Sequence, residues 1–171
     1  SMSGAGEAIR SASQGLYDAL RSDDRLYVVG AGAQPVVESG PDEGRLATAE
    51  AVAGAPSRYG TGRLDLGIRL AVSQLLGEMG RRTVMLVTNG NATPDAFLDY
   101  SLAETAEHLD NNHVSFFVIY TRRNAANREL DYLARATGGA SVYLYRPEGV
   151  GTLVERIRQQ PSGSYVLRYN S

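Results

Sequence analysis

The second half of the chain alternates between apolar runs typical of strands and stretches with apolar residues at helical spacing. Strands are predicted at 84–87, 114–120, 141–145 and 164–169, and helices at 95–110, 125–136 and 149–159. Strands and helices that alternate in this way favour right-handed crossovers on a mostly parallel sheet. We therefore predict an α/β fold in which a doubly wound, mostly parallel sheet is flanked by helices.

The first half of the chain is less regular. Its apolar spacing predicts helices over 5–21, over 45–53 and from Leu64 to near Gly77 or Gly80. It also predicts strands over 26–29 and 34–38 that pair as a hairpin-like edge. In the helix predicted at 95–110, one face carries Leu98, Leu102, Ala106 and Leu109. No repeat, linker or low-complexity segment divides the chain, so residues 1–171 are predicted to form one domain.

Composition narrows the possible functions. The 171 residues are 43% hydrophobic and 21% charged, which is ordinary for a globular domain with a sizeable core. A net charge of -2 provides no bulk field for nucleic acid or anionic lipid. The chain has no cysteine, which excludes disulfides and thiolate chemistry. It also lacks an apolar run of transmembrane length, so we expect no direct membrane insertion.

The segment from Arg81 to Pro94 is the most informative part of the chain. Its apolar run, Val84 to Val87, has no polar alternation, as in a strand buried on both faces of a parallel sheet. In such sheets, the loops after the carboxyl ends of the strands carry the binding site. We expect function there, at Thr88, Asn89 and Asn91. The alternative for Asn89-Gly90 is ordinary turn chemistry.

Signs of catalysis are weak. No Gly-x-Ser-x-Gly elbow is present, and His108 favours a structural role late in its predicted helix. The Gly30-Ala31-Gly32 stretch is followed by Pro35, so it continues as a strand and does not open the helix that a dinucleotide fingerprint requires. We predict a binding module and no enzyme. The alternative is a hydrolase or a nucleotide binder on a doubly wound sheet.

Several separated segments resemble the von Willebrand factor type A family, in the order in which that family has them. They are Arg25 to Gly32, the Gly-Thr loop Tyr59 to Gly67, the strand and loop Thr83 to Gly90, the Thr-Gly-Gly segment Leu130 to Gly139, and the terminal Ser164 to Tyr169. The resemblance covers nearly the whole chain. It implies a type A fold and a role in protein binding, adhesion or assembly, in a bacterial and extracytoplasmic setting.

The resemblance also implies a site for Mg²⁺ or another divalent cation, formed from hydroxyl and carboxylate oxygens. The positions that match are Thr61 and Asn89, where Asn89 replaces the family's Asp. The chain opens Ser1-Met2-Ser3-Gly4, which resembles the end of the family's Asp-x-Ser-x-Ser motif in bacterial members, so Ser1 would be the motif's last Ser. Ser3, two residues later, is also expected to line the site. The substitution at Asn89 implies a degenerate site with a weak cation or none. The family's open coordination position implies a partner protein that binds through an acidic residue.

The family's first, central strand has no counterpart in this chain. Three interpretations are open: Ser1-Met2 is left from expression and the strand was omitted, the strand belongs to a separate N-terminal fragment, or the strand at 164–169 fills its place. A separate fragment would arise by cleavage before Ser1, where a Ser hydroxyl attacks the preceding carbonyl.

Two further features have both a structural and a binding interpretation. Arg122-Arg123 follows the strand at 114–120 on the predicted site edge, where it either contacts an acidic partner or is solvated. Tyrosines alternate along two C-terminal strands, which suits sheet packing or an exposed aromatic surface for a protein partner. These tyrosines are Tyr143, Tyr145, Tyr165 and Tyr169.

Overall fold

A computed structural model of the chain describes residues 20–44, 46–51, 62–91, 94–122, 125–144 and 149–159. All structural statements below concern these residues. No helix among them is long and apolar enough to cross a membrane.

The described strands form two sheets. Strands β1 (Val28–Gly30) and β2 (Val36–Ser39) are antiparallel, with Gly30 opposite Val36. Strands β3 (Arg82–Thr88), β4 (Val114–Tyr120) and β5 (Ser141–Tyr143) form a parallel sheet in that order. The parallel pairing and the hairpin-like edge were both predicted from the apolar pattern.

The described helices follow the strands as predicted. They are α1 (Leu64–Leu75), α2 (Leu102–Asn111), α3 (Arg128–Ala136) and α4 (Gly149–Gln159), with a 3-10 helix at Pro94–Phe97. Residues 46–51 are also helical. Within the described part of the chain, α1 contacts both β1 and β3, so it lies over both sheets.

Strand β4 forms the centre of the core. On one face, Phe116, Val118 and Tyr120 pack against residues of α1, α2 and α3. On the other face, Phe117 and Ile119 pack against Leu153 of α4. Helices therefore cover both faces of the sheet, which confirms the doubly wound α/β fold.

One predicted helix is in fact two elements. The pattern over 95–110 predicts a single helix, but the 3-10 turn ends at Phe97 and α2 begins only after Ser101. Ser101 and Glu104 form a reciprocal capping box, which satisfies the free backbone N–H groups of a new helix start. The break removes Leu98 from the predicted apolar face, and this side chain is 64% exposed.

Strand β3 is less buried than the sequence predicts. Its residues are partly buried, and Val87 is 42% exposed, because β3 lies at the edge of the described parallel sheet. No described strand joins β3 to β1. The predicted strand at 164–169 and residues 5–19 of the first predicted helix lie outside the described residues.

Candidate functional site

The neighbouring ends of β3 and β4 form what we call the strand-end site. It consists of Thr88–Asn91 and Thr121–Arg122. Thr88 is in register with Tyr120, and the Thr121 N–H donates to the Thr88 carbonyl at 2.9 Å, one residue beyond the paired strands. Adjacent strands lie about 4.8 Å apart. By this register Asn89 is level with Thr121, and Arg122 follows one residue later. Asn89 and Arg122 are both exposed.

The loop after β3 is a compact turn built from its own side chains. The Gly90 N–H donates to Thr88 Oγ1 at 3.0 Å, and the Asn91 N–H donates to Asn89 Oδ1 at 3.0 Å. The second bond is the Asx-turn interaction that Asn favours. It uses the amide oxygen of Asn89, whereas Asn89 Nδ2 has no hydrogen-bond partner in the described structure.

This turn is fixed against the loop that precedes α3. Gly90 has a φ of 85°, and a Cβ at this position would lie 2.2 Å from the Ala125 carbonyl oxygen. Asn127 Nδ2 donates to the Gly90 carbonyl at 3.4 Å. Asn127 Oδ1 also caps α3 by accepting from the Glu129 and Leu130 N–H groups. The turn that presents Asn89 is therefore held by a helix cap and a close backbone contact.

A buried tyrosine anchors the same loop to β4. Tyr120 Oη donates to Asp131 Oδ1 at 2.9 Å and accepts from the Asn127 N–H at 3.0 Å. Burial raises the pKa of the Tyr120 phenol well above its usual range, so the phenol stays neutral. Ser141 Oγ donates to the same Asp131 oxygen at 2.5 Å, and the Tyr143 ring stacks on Tyr120 at 5.2 Å. These polar groups all have partners within the fold.

A second polar cluster surrounds the fully buried Asp65, near the first turn of α1. Its carboxylate accepts from the N–H groups of Leu66 at 2.8 Å, Asp99 at 2.8 Å and Tyr100 at 3.1 Å. The Arg63 guanidinium donates to both oxygens at 3.0 and 3.2 Å, and it also pairs with Asp99. Burial opposes ionisation, but these bonds hold the pKa of Asp65 below its usual range.

The Asp65 cluster is tied to the end of β1. The Arg63 N–H donates to the Gly32 carbonyl at 3.1 Å. A Cβ at Gly62 would lie 1.6 Å from the Ala31 carbonyl oxygen, so the two backbones touch. The start of α1 and the end of β1 are therefore held together beside the turn at Asp99 and Tyr100.

Of the four residues predicted to line the site, the structure places one. Asn89 lies at the strand-end site as expected, whereas Ser1, Ser3 and Thr61 lie outside the described residues. Asn91 also lies in the predicted loop and is exposed. Tyr143 packs in the core, as the structural interpretation of the tyrosines predicts. Tyr145, Tyr165 and Tyr169 lie outside the described residues.

Sequence reasoning missed the roles of Asn127 and Asp65. The capping role of Asn127 could have been predicted, because Asn directly before a helix is a preferred N-cap. From the sequence alone, Asp65 in the first turn of α1 is interpreted as an acidic residue that interacts favourably with the helix dipole. Its buried bonds to Asp99 and Tyr100 join positions more than thirty residues apart, which no local pattern reveals.

The described part of the strand-end site does not fit a divalent cation. The Asn89 amide oxygen is neutral and already bonded to the Asn91 N–H. The described residues contain no group of three or more His, Asp or Glu that would hold a metal. Arg122, an exposed positive charge, follows β4 at the same edge of the sheet. Hard cations prefer several anionic oxygen ligands, and the described residues at this edge supply none.

Comparisons with known proteins agree with the fold. No family model and no curated protein matches the chain. One similar structure is an aerotolerance-related membrane protein from Bacteroides fragilis, with a TM-score of 0.69 and 12% identity over 91% of this chain and 89% of that one. Another is the von Willebrand type A domain of SpRpn10, with a TM-score of 0.58 and 18% identity over 95% of this chain and 87% of that one.

At these identities the comparisons establish the fold and not the function. The type A fold predicted from the ordered sequence segments is thereby confirmed. The strand-end site lies where open α/β sheets bind their ligands, outside the carboxyl ends of the strands.

Proposed function

We propose that this chain, which has the von Willebrand type A fold, is a protein-recognition or assembly module that binds its partner at the strand-end site. One observation carries the proposal. The turn at Asn89 is exposed, yet Gly90 and Asn127 hold it rigidly against α3. Polar groups presented on a rigid scaffold bind with little loss of conformational entropy.

The titratable groups near this site favour binding over catalysis. Tyr120 and Asp131 are bonded to each other inside the fold. His108 lies elsewhere, on α2, where its Nδ1 accepts from Arg69 Nη1 at 3.3 Å. A catalytic site needs a nucleophile or base that reaches a substrate, and these groups are already engaged.

A site-specific crosslinking experiment tests the proposed function. A photo-crosslinking amino acid replaces Asn91 at the site, and in a matched control it replaces Met79, which is 99% exposed. Met79 precedes the seven-residue β3, so the two positions are roughly 20 Å apart. We expect a discrete crosslinked protein from the source cells at Asn91 only.

The partner should also depend on the predicted site residues. We expect Thr61→Ala and Asn89→Ala to reduce the crosslinked yield without changing the unfolding midpoint. Equal crosslinking from Met79 and Asn91, or full yield in both variants, would reject the strand-end site as the recognition surface.

We further propose that a strand from a separate N-terminal fragment completes the sheet. The support is that α1 covers both β1 and β3, while no described strand joins them. An extracytoplasmic location is proposed by family analogy, and fractionation of the source cells tests it.

Mass spectrometry of the protein purified from its source cells tests the strand proposal. We expect a complex in native conditions that releases a separate peptide on denaturation. A single covalent polypeptide with no released peptide would reject the separate fragment.

A further inference from the structure

We propose that the Asn89-Gly90 peptide is a site of spontaneous deamidation, and that its rate is set by the two bonds that hold the turn, to Thr88 Oγ1 and from Asn127 Nδ2. Asn89 is the only asparagine of the chain that is followed by Gly. Because glycine has no Cβ, its nitrogen is the least hindered nucleophile that can follow an asparagine. This covalent change requires no partner, so its test is independent of the proposed function.

Deamidation closes a cyclic imide within the turn. The Gly90 nitrogen loses its proton and attacks Asn89 Cγ. A bond forms between that nitrogen and Cγ, the bond from Cγ to Nδ2 breaks, and the amide leaves as ammonia with the proton. Water then adds to either carbonyl of the imide and opens the ring to aspartate or isoaspartate.

The side chain of Asn89 is ready for this reaction. Its Oδ1 accepts from the Asn91 N–H at 3.0 Å, and this bond stabilises the negative charge that develops on the oxygen during the attack. The leaving NH₂ group has no partner within the described structure, and Asn89 is exposed to water. The electrophile, the leaving group and the solvent therefore present no obstacle.

The Gly90 nitrogen, in contrast, is engaged by the fold. Its N–H donates to Thr88 Oγ1 at 3.0 Å, so the proton that must leave is bonded to a side chain. To reach Cγ, the nitrogen must also rotate about the Cα–C bond of Asn89, which moves Gly90 as a whole. The fold therefore controls the reaction at its nucleophile.

Contacts of Gly90 with the loop before α3 oppose that movement. A Cβ on Gly90 would lie 2.2 Å from the Ala125 carbonyl oxygen, so the two backbones are in close contact. The Gly90 carbonyl accepts from Asn127 Nδ2 at 3.4 Å. Isoaspartate would lengthen the backbone before Gly90 by one methylene, for which this packing leaves no room. Deamidation therefore requires local opening of the turn.

Peptide mapping by mass spectrometry tests the proposal. The chain is incubated in mildly alkaline buffer, folded or in guanidinium chloride, and the Asn, Asp and isoAsp forms of the peptide that contains Asn89 are quantified over time. We expect rapid deamidation in the denaturant and deamidation at least about tenfold slower in the folded chain. Equal rates would overturn protection by the fold, and an intact Asn89 in the denaturant would overturn the site itself.

Two variants each remove one bond of the turn. Thr88→Val removes the hydroxyl and keeps the β-branched shape, and Asn127→Asp removes the donor to Gly90 but keeps the acceptor that caps α3. Each should speed deamidation of the folded chain about fivefold, as for loss of one hydrogen bond. Asn112→Asp is the matched control, since Asn112 Nδ2 donates to the His108 carbonyl beyond the opposite end of β4. It should deamidate at the wild-type rate.

The Asp65→Ala variant separates opening of the turn from global unfolding. The Asp65 carboxylate bonds to the turn at Asp99 and Tyr100, so its loss weakens the fold without removing a bond of the Gly90 turn. Under conditions where circular dichroism shows this variant to be folded, it should deamidate at the wild-type rate. Acceleration as large as in the two turn variants, or wild-type rates in both turn variants, would overturn control by the bonds of the turn.

Discussion

Two polar regions of this molecule differ in how fully their groups are bonded. Around Asp65, a buried carboxylate accepts three backbone N–H bonds and two guanidinium bonds. At the strand-end site, Asn89 keeps its NH₂ group unbonded and Arg122 has no ion pair in the described structure. Buried polar groups must be satisfied internally, whereas exposed ones keep the capacity to bind a partner.

We expect the Asp65 cluster to contribute to folding stability and the strand-end site to contribute to partner recognition. Removing a member of the satisfied cluster leaves buried groups without partners, so the cost falls on folding. We expect the removal of an exposed donor at the strand-end site to change the free energy of unfolding little and to weaken the proposed complex more. The Gly90 turn lies between these cases, because it is part of the site and is also packed against Ala125.

The largest effect is expected for Asp65→Ala. It removes the acceptor of three backbone N–H groups and the main partner of Arg63, so we expect a loss of about 3 kcal/mol in the free energy of unfolding. Urea unfolding measures it. Asp95→Ala, at an exposed position of the 3-10 helix, is the control and should change stability by less than about 0.5 kcal/mol.

The same carboxylate should make stability depend on pH. The pKa of Asp65 is lower in the folded protein than in the unfolded chain. Its contribution is therefore complete above the unfolded value, near pH 4, and is lost as the pH falls through the folded value. The acid slope of the unfolding free energy should flatten in Asp65→Ala. Equal slopes in both proteins would show that other carboxylates dominate acid unfolding.

A smaller effect is expected for Gly90→Ala, because Gly90 is part of the strand-end site and is also packed against Ala125. The φ of 85° and the contact with the Ala125 carbonyl oppose a side chain, so we expect a loss of about 2 kcal/mol together with weaker partner crosslinking. Gly77→Ala is the control, because a Cβ there meets no atom within 4 Å. If the two substitutions had the same effect on unfolding, the turn would not be packed as described.

Elements with a strong local signal were predicted well. Strand β4 was predicted at its observed bounds, because six of its seven residues are β-branched aliphatic or aromatic, which favours a strand. Helix α4 also matches its predicted range. The helix predicted at 95–110 was wrong at its start, because the Ser101–Glu104 capping box competes with the apolar pattern.

The sequence by itself determined the alternation of strands and helices, the type A resemblance and the position of Asn89 after an apolar strand. These properties depend on short-range periodicity, which residue order records directly. Tertiary structure decided that the ends of β3 and β4 meet at Thr88 and Thr121, that Asn127 holds the Gly90 turn, and that Asp65 bonds to the turn at Asp99. Such contacts depend on strand register and helix packing, which bring together residues that are distant along the chain.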